Sequence, residues 1–309
     1  MRIVFMGTSE FGVPTLERLV ASEHPLIAVY TQPDKPAGRG RSLSLPPVKK
    51  MAIKYGLEMR QPNSFNEADV LESLAQLNPD VIVVAAFGKI LPEEVLNMPP
   101  FGCINIHPSL LPRHRGPSPI QGAILSGDDC TGVTIMLMDR GVDSGPILAQ
   151  KRVPIAPEDS AESLITNLAH IGARLLEETL PRWLSHAITP QPQNDDEASY
   201  TKSLSKEQGE IDWHLPALEI WRQVRAFQPW PGCYTRLRGK ALKVVDASHL
   251  PGAQGEPGRV ITLAGGGVGV QTAEGILELL RVQLEGKRKM SAEEFVLGQR
   301  DFIGALLPC

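Results

Sequence analysis

The sequence predicts an α/β domain with a parallel-rich sheet, followed by a small antiparallel β-barrel domain. Three observations support this prediction. Short apolar strands alternate with amphipathic stretches over residues 1–188, as in doubly wound α/β folds. A polar, turn-rich segment follows at 189–206. Residues 207–309 then contain short alternating strands separated by Gly and Pro, which are typical of a small barrel.

The composition is that of an ordinary globular protein. Its 309 residues are 42% hydrophobic and 21% charged, which fits two domains, 1–188 and 207–309, joined by a linker at 189–206. No apolar run is long enough to span a membrane. The four cysteines are scattered without a CxxC pair, which predicts no disulfide framework and no zinc site. We therefore expect a cytoplasmic protein; the net charge of −4 decides nothing about its partners.

The chain opens with an apolar strand, Arg2–Met6, that runs into a Gly-containing loop and an amphipathic helix. This order predicts the first βα unit of the fold. The loop lacks the middle Gly of a dinucleotide fingerprint, because Ser9 stands where the backbone would approach a pyrophosphate. The loop therefore marks the fold and disfavours a dinucleotide-dependent oxidoreductase.

After the strand Leu26–Thr31, residues 32–50 are predicted to form a long basic loop. They include five Lys and Arg against one Asp. Pro and Gly residues forbid a helix or central strand over the middle of this stretch. One interpretation is a solvated, flexible loop. The other is contact with the phosphates of a nucleic acid, since Lys and Arg neutralise such a backbone.

The following segments continue the alternation of strands and helices. A capping box at Asp159 and Glu162 predicts the start of a long helix that reaches about Trp183. The remaining predicted helices are 67–77, 91–98, 119–125 and 215–227, and the remaining strands of the first domain are 79–86, 102–107, 131–138 and 147–154.

The stretch Cys103–Gly116 carries the candidate chemistry. Asn105 and His107 are two residues apart near a strand end, so their side chains would project from the same face. Open α/β sheets bind ligands at that end of their strands. Asp143 follows the strand 131–138 on a Gly-flanked loop, and we expect it at the same edge of the sheet. Asp139 is a weaker candidate, because it lies nearer the strand.

Asn105, His107 and Asp143 together favour acyl transfer. Taken alone, the first two could be a turn residue and a buried histidine. Three such side chains without a Ser or Cys nucleophile argue against covalent hydrolysis and favour direct transfer of an acyl group to an external amine. The amide and the imidazole would stabilise the tetrahedral oxyanion. The carboxylate would hold the histidine or a water and accept the proton of the amine.

Several motifs resemble those of the folate-dependent formyltransferase family. Asn105-Ile106-His107, Ser109-Leu110-Leu111-Pro112 and Asp143 match its signature. The stretches MGTSEFGVP, TQPDKPAGRGR, TGVTIMLMD, LSKEQGEIDW and RAFQPWPG resemble its methionyl-tRNA formyltransferase branch, so the resemblance covers nearly the whole chain.

The resemblance implies a Rossmann-like formyltransferase domain, an OB-like tRNA-binding domain and a formyl transfer reaction. The donor would be 10-formyltetrahydrofolate, the acceptor the α-amino group of initiator methionyl-tRNA, and no metal would take part. It assigns catalysis to Asn105, His107 and Asp143, the folate site to Ser109, Leu110, Leu111 and Pro112, and tRNA contact to Lys35, Arg39 and Arg41. We expect a monomer without membrane partners. Further basic residues could bind tRNA or form a solvated barrel face: Arg236, Arg238, Lys240, Lys287, Arg288 and Lys289.

Other functions are less consistent with the sequence. An amino-sugar formyltransferase would share the catalytic residues but would not need the basic stretch Lys35–Arg41. A glycinamide ribonucleotide formyltransferase would end near His186. In a non-catalytic RNA-binding protein, Asn105, His107 and Asp143 would have no reason to converge.

Overall fold

The computed structural model describes residues 1–37, 42–252, 255–299 and 301–308. The chain forms two compact units. The first comprises Met1–Pro119, Cys130–Pro154 and Leu164–Lys202, and the second comprises Ile120–Asp129, Ile155–Ser163 and Ser203–Cys309. The boundaries 1–188, 189–206 and 207–309 stay a prediction; in this division residues 189–202 group with the first unit.

The first unit is built on a seven-stranded sheet with the order β5-β2-β1-β6-β7-β8-β9. Neighbours from β5 to β7 are parallel, whereas β8 runs antiparallel to both β7 and β9. The predicted α/β class with a parallel-rich sheet is confirmed. The strands are β1 Ile3–Gly7, β2 Leu26–Tyr30, β3 Lys35–Ala37, β4 Ser42–Ser44, β5 Met59–Arg60, β6 Val81–Ala85, β7 Cys103–His107, β8 Cys130–Leu137 and β9 Ile147–Pro154.

The central strands β1 and β6 are buried along their whole length, as expected for continuous apolar runs in a parallel sheet. A Cβ at Gly7 would lie 2.8 Å from the Phe5 ring and 3.0 Å from the Ala85 carbonyl oxygen. Gly7 is therefore needed for close packing, in agreement with its interpretation as a fold marker. The helices are α1 Val13–Ala21, α2 Pro47–Lys54, α3 Ala68–Gln76, α4 Glu93–Leu96, α5 Pro119–Ser126 and α6 Ala161–Leu184.

The described parts of the basic segment 32–50 contain regular secondary structure. Lys35–Ala37 and Ser42–Ser44 pair as a small antiparallel hairpin, and α2 begins at Pro47. The expectation of a continuous loop to Lys50 was therefore wrong. Prolines exclude a central strand but are compatible with a two-stranded ribbon. Pro47 lies in the first turn of a helix, where the backbone N–H that proline lacks would have no partner within the helix.

The start of α6 also differs by one residue from the prediction. Ser160 and Ser163, not Asp159 and Glu162, form the reciprocal cap: each backbone N–H donates to the hydroxyl of the other, at 3.2 and 3.1 Å. Asp159 supports this turn by accepting from the Ser163 hydroxyl at 2.8 Å. The hydroxyl at Ser163 fills the place that Glu or Gln usually takes in a capping box.

The second unit contains an antiparallel sheet with the order β10-β11-β14-β13-β12, in which β15 also pairs with β14. Register shifts between Val244 and Ala247 lie in the long strand β11, where bulges increase bending and twist. The antiparallel class predicted for this region is confirmed. The elements are α7 Ala217–Ala226, β10 Cys233–Leu237, β11 Lys240–Leu250, β12 Val260–Thr262, β13 Val268–Gln271, β14 Ile276–Leu284, β15 Met290–Ser291 and α8 Ala292–Gly298.

Helix α8 was not predicted, although the sequence carries a signal for it. The Ser291 hydroxyl accepts from the Glu294 N–H at 3.1 Å, which is one half of a capping box. Within the described parts of the chain, no helix combines the length and the apolar character that crossing a bilayer requires.

Candidate active site

Asn105 and His107 project from the same face of β7, as predicted, and both reach Asp143. The Asn105 Nδ2 atom lies 3.4 Å from Asp143 Oδ1, and His107 Nδ1 lies 3.6 Å from Asp143 Oδ2. His107 is 4% exposed, and Asn105 is half-buried. The structure thus brings the three predicted catalytic side chains together.

The route by which Asp143 arrives differs from the expectation. We predicted that parallel strand ends would bring it to the same edge of the sheet. Because β8 is antiparallel to β7, its last residue, Leu137, pairs with Ile104 near the start of β7. The loop 138–146 must therefore fold back along β7 to bring Asp143 to His107. Asp143 has a φ of +51°, in the left-handed region that costs a non-Gly residue energy.

Backbone groups hold the Asp143 carboxylate and its loop. The Gly116 N–H donates to Asp143 Oδ2 at 2.8 Å. The alternative acid, Asp139, accepts from the Gly141 N–H at 3.0 Å and the Ser144 hydroxyl at 2.8 Å. Asp139 therefore shapes the loop that presents Asp143.

The environment of His107 determines its tautomer. Its Nε2 lies 3.1 Å from the carbonyl oxygen of His114. Because a carbonyl only accepts, Nε2 carries the hydrogen. Burial lowers the pKa of His107, although the Asp143 carboxylate and the His114 carbonyl act to raise it. The neutral form of the imidazole is therefore favoured near pH 7, with an unprotonated Nδ1 3.6 Å from Asp143 Oδ2.

This tautomer refines the predicted role of His107. We expected the imidazole to donate to an oxyanion. Its one N–H is already bonded to His114, so Nδ1 can donate only after it has received a proton. His107 Nδ1 and Asp143 Oδ2 can therefore accept a proton before either of them donates one.

Comparisons with known proteins identify the family of this chain. Residues 1–180 match the Formyl transferase family, and residues 203–300 match the Formyl transferase, C-terminal domain family. A methionyl-tRNA formyltransferase of Caldanaerobacter subterraneus subsp. tengcongensis is 45% identical over 308 residues, covering 99% of this chain and 100% of that protein. One from Chloroflexus aurantiacus is 49% identical over 301 residues, covering 96% and 97%. This chain belongs to the methionyl-tRNA formyltransferase family.

Two solved structures are similar in fold over most of the chain. HypX from Aquifex aeolicus, in complex with tetrahydrofolic acid, has a TM-score of 0.64 at 20% identity; the match covers 96% of this chain and 47% of HypX. An N-formyltransferase from Helicobacter canadensis, in complex with folinic acid and dTDP-3-aminofucose, has a TM-score of 0.68 at 18% identity and covers 93% and 99%. These likenesses show a common fold.

The loop Ser109–Pro112, predicted from the family to line the folate site, is held by hydrogen bonds within the first unit. Its buried Ser109 donates its hydroxyl to the Arg113 carbonyl at 2.7 Å, and the Leu111 N–H donates to the Thr134 hydroxyl at 3.1 Å. Leu111 is buried, whereas Leu110 and Pro112 are half-buried. The partly exposed members of the loop are therefore apolar.

The predicted tRNA-binding residues are only partly covered by the described residues. Arg39 and Arg41 lie outside the described residues, and for Lys35 only the backbone, in β3, is described. In the second unit, three of the predicted basic residues pair with carboxylates: Arg236 with Glu210, Arg238 with Asp301 and Arg288 with Glu294. Lys240, Lys287 and Lys289 are exposed.

Two residues that contact the catalytic loops were not predicted from the sequence. Gln193 donates to the carbonyls of Asp143 and Gly145, and the side chain of Arg115 is almost completely buried beside it. Gln193 lies in a polar stretch that predicted only a linker, so no local signal could have found it. Arg115 lies within Cys103–Gly116, and only the burial of its charge sets it apart from other basic residues there.

Proposed function

We propose that the protein transfers the formyl group of 10-formyltetrahydrofolate to the α-amino group of initiator methionyl-tRNA. The observation that carries this proposal is the convergence of Asn105, His107 and Asp143 in a chain related over its full length to methionyl-tRNA formyltransferases. We infer that the protein is a cytoplasmic monomer that needs no metal.

Asn105 would stabilise the negative charge that develops on the formyl oxygen. Its Nδ2 faces Asp143 at 3.4 Å, which is long for a hydrogen bond. Such a weak contact can be exchanged for a strong one to an oxyanion as the tetrahedral centre forms. Donors that strengthen only in the transition state raise the rate of the chemical step.

Asp143 and His107 would accept the proton of the attacking amine. The amine nitrogen bonds to the formyl carbon and loses a proton to the pair of Asp143 Oδ2 and His107 Nδ1. The bond between the formyl carbon and the donor nitrogen then breaks, and that nitrogen takes the proton. Once protonated, Nδ1 can donate to the oxyanion, as the sequence led us to expect.

The loop Ser109–Pro112 fits a folate ring as an apolar wall. When bound, the folate supplies an activated formyl group on nitrogen. Leu110 and Pro112 present partly exposed apolar surface, while the Leu111 carbonyl is already bonded to Gln150 Nε2 at 2.8 Å. Since the backbone polar groups of Leu111 are satisfied within the protein, the wall suits a flat, mostly apolar ligand surface.

The acceptor would be oriented by basic residues near the N-terminal hairpin and in the second unit. Lys35, Arg39 and Arg41 would contact phosphates or the acceptor end of the tRNA. In the second unit, the exposed Lys240, Lys287 and Lys289 suit phosphate binding better than the carboxylate-paired arginines, because no ion pair with another described residue has to be broken.

A direct substrate comparison tests the proposal. Purified protein and 10-formyltetrahydrofolate would be offered charged initiator methionyl-tRNA and, separately, a dTDP-linked amino sugar, which represents the second candidate function. We expect formyl-methionine on the tRNA and no formylated sugar. Formylation of the sugar alone would overturn the proposed acceptor, and transfer to neither would overturn the proposed reaction.

A further inference from the structure

A network of hydrogen-bonded polar groups around the buried Arg115 connects residues 193–201 to the catalytic loop. We propose that Gln193, held in place by Arg115, is a positioning residue that fixes Asp143 for proton transfer. This inference rests on the role of Asp143 proposed above. It concerns the segment that the sequence predicts to be an interdomain linker.

The side-chain amide of Gln193 binds the backbone of the Asp143 loop. Its Nε2 donates to the Asp143 carbonyl at 2.8 Å and to the Gly145 carbonyl at 2.7 Å. Both hydrogens of the amide are therefore used on the loop. Because Asp143 has a left-handed φ of +51°, its conformation must be maintained by its surroundings, and these two bonds supply that restraint.

Arg115 fixes the orientation of the Gln193 amide. The Arg115 Nε and one terminal nitrogen donate to Gln193 Oε1 at 3.1 and 2.9 Å. Arg115 is 1% exposed and also donates to Asp195 Oδ1 at 2.7 Å and to the Tyr200 hydroxyl at 3.0 Å. A guanidinium has no acceptor, so the amide oxygen must face Arg115 and the amide nitrogen must face the Asp143 loop.

The backbone on either side of Arg115 reaches the other catalytic contacts. The preceding carbonyl, of His114, bonds to His107 Nε2, and the following N–H, of Gly116, bonds to Asp143 Oδ2. Ser199 clamps this stretch, because its carbonyl accepts from the Arg115 N–H at 2.8 Å and its hydroxyl from the His114 N–H at 2.8 Å. Displacing Gln193 would thus change the relative position of the two groups that share the proton.

Three variants test the role of Gln193. Gln193→Ala removes both the acceptor for Arg115 and the donor to the Asp143 loop, whereas Gln193→Glu keeps the acceptor and removes only the donor. Gln191→Ala is the matched control, because this exposed glutamine bonds through Nε2 to the local Thr189 carbonyl at 3.0 Å. Small misplacements of catalytic groups can cost on the order of 100-fold in rate. We expect kcat to fall about 10- to 100-fold in both Gln193 variants, with KM changed less than about 2-fold and Gln191→Ala near wild type.

A double-mutant cycle separates positioning from general support of the fold. If Gln193 acts through Asp143, Gln193→Ala should lower the residual rate of Asp143→Asn by less than about 2-fold. A loss of the same factor in both backgrounds, or near-normal turnover of Gln193→Glu, would overturn the positioning role. Should Gln193→Ala fail to fold, Gln193→Glu carries the same cycle. Near-normal turnover of Asp143→Asn would instead overturn the proposed function of Asp143, so the two failures are distinguishable.

Discussion

Asn105 is expected to stabilise the transition state much more than it stabilises the folded protein. Its side chain is half-buried, and its Nδ2 lies 3.4 Å from Asp143 Oδ1. A normal hydrogen bond contributes about 0.5–1.5 kcal/mol net, and a bond of this length should lie at the low end. Replacing one oxyanion donor costs about 2.7–4 kcal/mol in the transition state, or about 10²- to 10³-fold in kcat.

The substitution Asn105→Ala therefore separates activity from stability. We expect kcat to fall about 10²- to 10³-fold, while the melting temperature falls by no more than about 2–4 °C, the change that about 1 kcal/mol produces in a protein of this size class. Transfer of a radiolabelled formyl group to methionyl-tRNA under saturating substrates would give kcat. Asn97→Ala, at an exposed position directly after α4, provides a control that should leave both quantities unchanged.

Two results would refute this reasoning. A kcat within about 5-fold of wild type would show that Asn105 contributes far less than an oxyanion donor should. A large fall in melting temperature together with the loss of kcat would show that Asn105 supports the fold of the β7 edge. In the second case, activity per folded molecule at low temperature would have to be compared before any catalytic role could be assigned.

Three further predictions follow from the contacts of the first unit. Asp195→Ala should lower the free energy of unfolding by about 0.5–1.5 kcal/mol in urea titrations, because the buried Arg115 loses a charged partner, although water screens that partner, whose side chain is 82% exposed. An unchanged free energy of unfolding would contradict this. Gly145→Ala should lower kcat at least about 10-fold, since the new Cβ would lie 1.9 Å from the Leu137 carbonyl oxygen. Gly141→Ala should lower kcat less, because the nearest atoms to its Cβ are side-chain atoms of Ser144 and Asp139, which can move. Equal losses of kcat in the two variants would contradict an effect through the backbone of the loop. Burial lowers the pKa of His107 in the folded protein below its ordinary value of 6.5. Between these two pKa values the unfolded chain binds more protons than the folded protein, so the free energy of unfolding should rise with pH across that window. His107→Gln should flatten this rise, and an unchanged slope of the free energy of unfolding against pH would contradict a neutral imidazole.

Local patterns of the sequence were sufficient to predict the fold class and the face shared by Asn105 and His107. Strands such as Val81–Ala85 are apolar throughout because both faces of the sheet are covered, and residues two apart on a strand project together whatever surrounds them. Strand direction is not a local property. The run at 130–137 reads as a buried strand in either direction, so its antiparallel pairing with β7 was not predictable from its residues.

Contacts between distant segments account for the rest of what was missed. Asp143 was predicted because Gly residues flank it in a loop, although it does not reach the site through parallel strand ends as we expected. Gln193 and Tyr200 surround Arg115, yet both lie in a polar stretch with no periodicity. Burial of the Arg115 charge depends on partners about eighty residues away in the chain, and no spacing rule covers such a separation.

The contacts of the buried Arg115 guanidinium determine at which residue the chain can be truncated without loss of the catalytic unit. A protein shortened at residue 188 would lose Gln193, Asp195 and Tyr200, and with them the partners of the Arg115 guanidinium and the two hydrogen bonds that hold the Asp143 loop. Ending at Lys202 retains all three partners and the Ser199 clamp. The stretch between these two positions therefore acts as a C-terminal brace of the catalytic unit, and excising it should abolish turnover even where every residue that touches substrate is intact.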